Sequence, residues 1–143
     1  MLILQEDTME KLCSHAQMEY PKECCGIMLG KRQDEQRITY KVIPTKNIID
    51  ESKNTTHFLI NPLEILEAEL LAQKEKLEIV GFYHSHPDYE AIASEEDMLY
   101  MMEGYSYSII SVKNGTSVRI SSFEKVSQAD TDAKEEDILV KEK

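Results

Sequence analysis

The stretch Gly81-Phe82-Tyr83-His84-Ser85-His86-Pro87 ends an apolar run that begins at Ile79, and the reading of this 143-residue chain grows out of it. Ile79 to Tyr83 carries no charge, as expected of a central strand covered on both faces. Residues two apart on a strand share a face, so His84 and His86 project together. A strand that runs out into a loop holds both rings rigidly and leaves them accessible. Asp97 lies eleven positions beyond His86, close enough for the chain to return it to them. Two imidazoles and one carboxylate make a three-ligand zinc set with the fourth position open, which is the catalytic and not the structural arrangement. Two strand-end histidines can instead serve as hydrogen-bond partners of backbone carbonyls. The full string, His-Ser-His-Pro, six residues, Ser, two residues, Asp, favours the ligand reading over that one.

Downstream of the histidines, Ser94-Glu95-Glu96-Asp97 precedes Met98, Leu99 and Met102 on a short helix expected to end near Gly104. Ser-x-x-Asp is also an N-cap pair, with the hydroxyl on a free N–H and the carboxylate at the positive helix end. The two roles are compatible, because a capped helix start holds an aspartate in one rotamer. Ser94, one turn earlier, then comes within reach of the metal's open side, where a hydroxyl can donate to a developing oxyanion. A hydrolytic site also needs a base. Glu23 directly precedes Cys24-Cys25-Gly26-Ile27 at the start of an expected core strand. It is either a solvated strand end or that base, and position alone does not choose.

The rest of the chain alternates short apolar segments. Leu2 to Leu4 reads as a first strand, and Asp7-Thr8-Met9-Glu10 as a capping box, Asp7 at the N-cap. Met9, Leu12, Cys13, Ala16 and Tyr20 fall on one helical face, and Pro21 stops the helix. Strands are expected at Cys25 to Leu29, Ile38 to Pro44 and Thr56 to Ile60. Asn61-Pro62 opens a second helix, with Leu63, Leu66, Leu70, Leu71 and Leu77 as its core-facing stripe. Tyr105 to Val112 and Thr116 to Ser122 form a hairpin around Asn114-Gly115. This order gives a mixed α/β (α+β) domain, a largely antiparallel sheet with helices packed against it, over residues 1–123. Residues 124–143 are polar and acidic apart from Ile138-Leu139-Val140, and the expectation is a flexible tail or a weakly docked helix.

These residues resemble the JAMM, or MPN-plus, zinc metalloprotease family in its short prokaryotic branch. The pattern there is a Glu on an early strand, then His-Ser/Thr-His-Pro, then Ser-x-x-Asp; here it is Glu23, His84-Ser85-His86-Pro87 and Ser94-Glu95-Glu96-Asp97. The resemblance spans roughly Leu2 to Ser122 and implies the MPN fold, which is cytidine-deaminase-like. It implies one Zn2+ per chain on His84, His86 and Asp97, with Glu23 as general base and Ser94 stabilising the tetrahedral intermediate. It further implies an amide or isopeptide hydrolase acting on the C-terminal Gly-Gly tail of a small ubiquitin-like sulfur-carrier protein. An attached amino acid, a precursor extension or a lysine conjugate would be released. The chain differs from many relatives in having Ala93 where they carry Pro, and in the bulky, acidic Tyr89-Glu90-Ala91-Ile92.

The family also contains metal-free MPN members that only assemble complexes, so a non-catalytic scaffold is the alternative reading; those usually lack the ligands that this chain keeps. A zinc nucleobase deaminase is excluded, because the His-x-Glu and Pro-Cys-x-x-Cys elements are missing. With 16 Lys and Arg against 27 Asp and Glu, the net charge is −11, which argues against nucleic acid as a partner. No apolar run is long enough to span a bilayer, and Met1 to Leu4 is too short for a signal peptide. Cys13, Cys24 and Cys25 are odd in number and two are adjacent, which fits small buried residues in a reducing cytoplasm and not a disulfide framework. Oligomeric state is not legible.

Overall fold

In a computed structural model that describes residues 1–142, the run Ile79 to Tyr83 lies inside strand β4 (Glu78–Pro87). Around it, in chain order, are β1 (Leu2–Gln5), α1 (Glu6–Glu19), β2 (Cys25–Gln33), β3 (Gln36–Thr45), a single 3-10 turn (Glu51–Lys53) and α2 (Pro62–Lys74). After β4 come α3 (Glu95–Tyr100), β5 (Ser106–Lys113), β6 (Thr116–Glu124), β7 (Lys134–Glu136) and β8 (Ile138–Lys141). The strands form one eight-stranded sheet in the order β7-β6-β5-β4-β2-β3-β1-β8. Four neighbour pairs are antiparallel; β1 with β3, β1 with β8 and β4 with β5 are parallel.

The two faces of the sheet bury different sets. Leu12 and Ala16 of α1 pack with Leu2, Leu4, Met28, Val80, Tyr83 and Ile110 on one side. Ala68 and Ala72 of α2 pack with Cys25, Ile27, Leu29 and Ile79 on the other. Val80 and Tyr83, three apart, share a face because the β2–β4 register slips between Met28 and Leu29. A bulge adds one residue and resets the alternation of the strand beyond it. Phe82 therefore packs on the α2 side, and His84 and His86 follow it at period two. At Gly81 β4 lies close against β5: a Cβ there would lie 2.2 Å from the Ser106 carbonyl oxygen.

Several local signals act as read. Asn61 caps α2 by accepting from the Leu63 N–H at 3.0 Å, with Pro62 in the first turn. The Asn114-Gly115 turn has φ of 51° and 83°, as a two-residue hairpin of the type that follows strand twist requires.

Four expectations are corrected. Helix α1 begins at Glu6, with Gln5 at the N-cap and no side-chain cap bond, so Asp7 is not the N-cap. Because β1 runs into α1 with no loop between them, strand pairing fixes where the helix starts. Thr56 to Ile60 is not a strand; only an isolated bridge joins Asn47 and Ile60. The stripe expected of α2 is rotated: Leu71 and Leu77 pack on the core as expected, but Leu63, Leu66 and Leu70 are 64%, 51% and 57% exposed, while Ala68 and Ala72 face the sheet. Two alanines four residues apart let the helix lie close to β2 and β4, and larger side chains there would hold it off.

The fourth correction concerns the expected tail. Residues 134–141 are neither a mobile tail nor a helix but β7 and β8, paired to β6 and to β1. Only Asp137 separates them, so the two ends of the sheet lie side by side and this segment laces them together. The acidic composition hid it because one of the acids, Glu136, is buried, with its carboxylate 3.4 Å from Arg37 and accepting from Ser122 Oγ at 2.8 Å.

Candidate metal centre

His84 and His86 leave β4 on the face opposite α1, and both rings are almost fully buried. Phe58 stacks on His84 at 4.4 Å between centroids, which fills the side of that ring away from His86. The Nδ1 of His86 lies 2.7 Å from the Glu90 carbonyl oxygen. A carbonyl can only accept, so Nδ1 carries the proton and Nε2 presents a lone pair. This is the outer-shell bond that orients metal-ligating histidines.

Asp97 reaches the histidines from α3. Ser94 Oγ accepts from the Asp97 N–H at 2.9 Å, and Asp97 Oδ2 accepts from the Ser94 N–H at 2.9 Å. The capping box thus forms in full and pins the aspartate rotamer. Its Oδ2 lies 3.3 Å from His84 Nε2 and 3.3 Å from His86 Nε2, and the two nitrogens are 3.1 Å apart. Zinc bonds of about 2.0–2.1 Å in a tetrahedron separate donors by roughly 3.3 Å. The three atoms therefore have the spacing of one tetrahedral face, and the donor set fits a zinc ion. Among the described residues this is the one His/Cys/Asp/Glu group placed to hold a metal. Burial by itself would raise the Asp97 carboxyl, but the adjacent His84 and His86 rings and the Ser94 N–H outweigh it and hold the group well below the usual carboxylate range.

Glu23 lies just before β2, with its N–H donating to the Asn54 carbonyl at 2.7 Å and its own carbonyl accepting from Asn47 Nδ2 at 3.0 Å. Its backbone is clamped and its residue is only 2% exposed. It is no solvated strand end. Burial pushes its carboxyl up, opposed by the nearby His84, by a hydrogen bond from Tyr89 and by His86. The fold thus gathers His84, His86, Asp97, Ser94 and Glu23 from three separate segments: the residues before β2, the end of β4 and the start of α3.

Other contacts were not legible beforehand. Tyr89 donates from its hydroxyl to Glu23 Oε2 at 2.7 Å, and its ring stacks on His86 at 4.1 Å and 14°. Ser85 Oγ accepts from the Cys24 N–H at 2.8 Å, tying β4 to the strand start beside Glu23. The only signal for either was proximity to the histidine pair. Burial pushes the Cys24 and Cys25 thiols up to about 12 and about 11, so both stay protonated and unreactive at neutral pH. A cavity of about 410 Å³ opens beside the centre, lined by Phe58, Ile60, Phe82, Tyr107 and Met101, with His84 and Asp97 at its polar end.

Comparison with known proteins gives both sequence relatives and solved structures of the same fold. A probable TtuB-protein conjugate cleaving protease of Thermus thermophilus is 32% identical over 97 residues, 68% of this chain and 61% of that protein. A desampylase of Haloferax volcanii is 28% identical over 115 residues, 77% of this chain and 80% of that one. The chain thus spans about three fifths of the Thermus protein's length. Among solved structures, protein DSY2949 of Desulfitobacterium hafniense superposes with a TM-score of 0.83 at 33% identity, covering 100% of this chain and 94% of its own. A JAB1/MPN domain protein of Archaeoglobus fulgidus shares the fold, with a TM-score of 0.60 at 15% identity over 98% of this chain and 96% of its own. The family model describing prokaryotic homologs of the JAB domain matches residues 5–123, from the last residue of β1 to the end of the β5–β6 hairpin, and with all five site residues inside that span the chain belongs to this family.

Proposed function

We propose that this protein is a zinc-dependent metallopeptidase that hydrolyses an amide or isopeptide bond after the C-terminal Gly-Gly of a small ubiquitin-like protein of the sulfur-carrier type. The observation that carries the proposal is the triangle of His84, His86 and Asp97 donors at 3.1–3.3 Å with buried Glu23 beside it. His84, His86 and Asp97 would hold a zinc ion, which would supply Lewis acidity to the scissile carbonyl and lower the pKa of a bound water. Glu23 accepts the proton of the attacking water and returns it to the leaving amine, so that the amine departs neutral. Ser94 Oγ accepts from the Asp97 N–H, which leaves its own hydroxyl proton free to donate to the oxyanion.

The names of the Thermus and Haloferax relatives, a conjugate-cleaving protease and a desampylase, support a ubiquitin-like conjugate as substrate. The apolar cavity beside the ligands suits a thin extended tail, since glycines add no side chain to clash near the metal. A cytoplasmic site of action suits three cysteines that are all free thiols, and no helix among the described residues is long and apolar enough to cross a membrane.

Intact-mass spectrometry tests the proposal. Zinc-loaded protein and its Glu23→Gln variant are incubated with ubiquitin-like carriers bearing a C-terminal cysteine, a short peptide extension or a lysine conjugate. Loss of one adduct in the wild-type lane alone identifies the bond. Survival of every adduct with zinc bound removes the sulfur-carrier substrate from the reading.

A further inference from the structure

We infer that Tyr89 is a positioning residue for this site: its hydroxyl fixes the Glu23 carboxylate and its ring stacks on the His86 imidazole and holds that ring's plane. The inference rests on the hydrolase reading above and adds a residue to it. Glu23 has a clamped backbone but three rotatable side-chain bonds, and among the described residues the hydrogen-bond partner of its carboxylate is the Tyr89 hydroxyl, at 2.7 Å on Oε2. Holding Oε2 this way leaves Oε1 to face the attacking water. The same ring lies flat on His86, with centroids 4.1 Å apart, while the next carbonyl along, that of Glu90, holds His86 Nδ1. One loop thus orients a base and a ligand together.

The loop is built to be rigid. Asp88 N–H donates to the Val112 carbonyl at 2.6 Å, and the Asp88 carboxylate accepts from Asn114 N–H at 3.0 Å and from Tyr20 Oη at 2.5 Å. Ser111 Oγ donates to the Tyr89 carbonyl at 2.6 Å, and Lys113 pairs with Glu90 at 3.1 Å. Every residue from Asp88 to Glu90 is therefore tied to β5 or to the hairpin turn, and so to the strand beside β4. Five ties thus hold the three residues centred on one tyrosine.

Two variants separate the hydroxyl from the ring. Tyr89→Phe keeps the stack and loses the hydrogen bond to a charged group, so kcat should fall about ten- to a hundredfold with KM and zinc affinity unchanged. In a Glu23→Ala background the same substitution should alter the residual rate by less than about twofold, since neighbours acting through one group are not additive. Tyr89→Ala should also weaken zinc several-fold in competition with a chelator. Independently of turnover, Tyr89→Phe should move the 13Cδ resonance of Glu23 in zinc-loaded protein and leave the other glutamates in place.

A full kcat in Tyr89→Phe overturns the inference, as does an equal loss in the Glu23→Ala background, which would put Tyr89 on the substrate. An unmoved Glu23 resonance overturns it too, and unaltered zinc affinity in Tyr89→Ala removes the role of the ring. A wild type inactive on every substrate overturns the hydrolase reading instead, and the resonance and chelator measurements then still decide whether Tyr89 holds Glu23 and His86.

Discussion

Substituting Glu136 by alanine tests whether the C-terminal strands are integral to the sheet. The side chain is 1% exposed, with its carboxylate 3.4 Å from Arg37 Nη1 and accepting from Ser122 Oγ. Removing one partner of a buried ion pair typically costs about 3–5 kcal/mol, because the other charge is left behind. Arg37 keeps the Gly104 carbonyl at 3.0 Å and Glu124 at 3.8 Å, so its stranding is incomplete and we expect about 2–4 kcal/mol. Between the values for small and larger domains, each kcal/mol lowers Tm by roughly 3–5 °C, which gives a fall of about 6–20 °C. The assay is thermal unfolding followed by circular dichroism at pH 7.5. Glu135→Ala serves as control: its partner Arg119 is 3.5 Å away and both side chains are more than half exposed, so Tm should move by no more than about 2 °C. A Glu136→Ala protein that melts within about 2 °C of wild type would refute the laced sheet and return residues 134–141 to the tail that composition suggests.

Other outcomes follow from the site. Asp97→Ala should lose stoichiometric zinc by elemental analysis; full occupancy would reduce Asp97 to a helix cap. Ser94→Ala should lose about 1 kcal/mol of stability with the cap and about 10²–10³ in turnover with the oxyanion donor. Ser94→Asp should recover the first loss and not the second. Gly81→Ala drives a Cβ to 2.2 Å from the Ser106 carbonyl oxygen, so β4 and β5 must part, and denaturant unfolding should show a loss of about 1–3 kcal/mol. In the metal-free protein burial raises Glu23 above its ordinary 4.5. A carboxyl with a raised folded pKa contributes stability fully below the unfolded value and loses it as pH rises through the folded one. Glu23→Gln should therefore be more stable than wild type by a margin that widens as pH rises above that ordinary value, and a constant margin across the titration would count against the burial of an ionised Glu23.

The candidate metal ligands were legible because their spacing is chemical. His84, His86 and Asp97 stand at intervals that a strand, a loop and a capped helix start can close, and Ser94 with Asp97 forms the cap that local rules describe. The helix starts at Asn61 and the Asn114-Gly115 turn were readable for the same reason, since each is decided within four residues. The α2 stripe was not. Leucines occur all round that helix, and the side that faces the sheet is chosen by how closely the alanines let it approach. Residues 134–141 escaped as well, because a charged strand is stable only where Arg37 and Ser122 already wait for Glu136.

By itself, then, the sequence determined which side chains could bind zinc, where the caps of α2 and α3 and the hairpin turn fall, and that a sheet would carry them. These depend on residue chemistry and short spacing. Tertiary structure decided what lies far apart along the chain: that Glu23 is buried beside the histidines, that Tyr89 reaches it, and that the last strands join both ends of the sheet. It also decided the face on which His84 and His86 emerge, through one bulge between β2 and β4. The physical reason is the two-residue period of a strand, in which one added residue reverses every side chain beyond it, and no local preference records the slip.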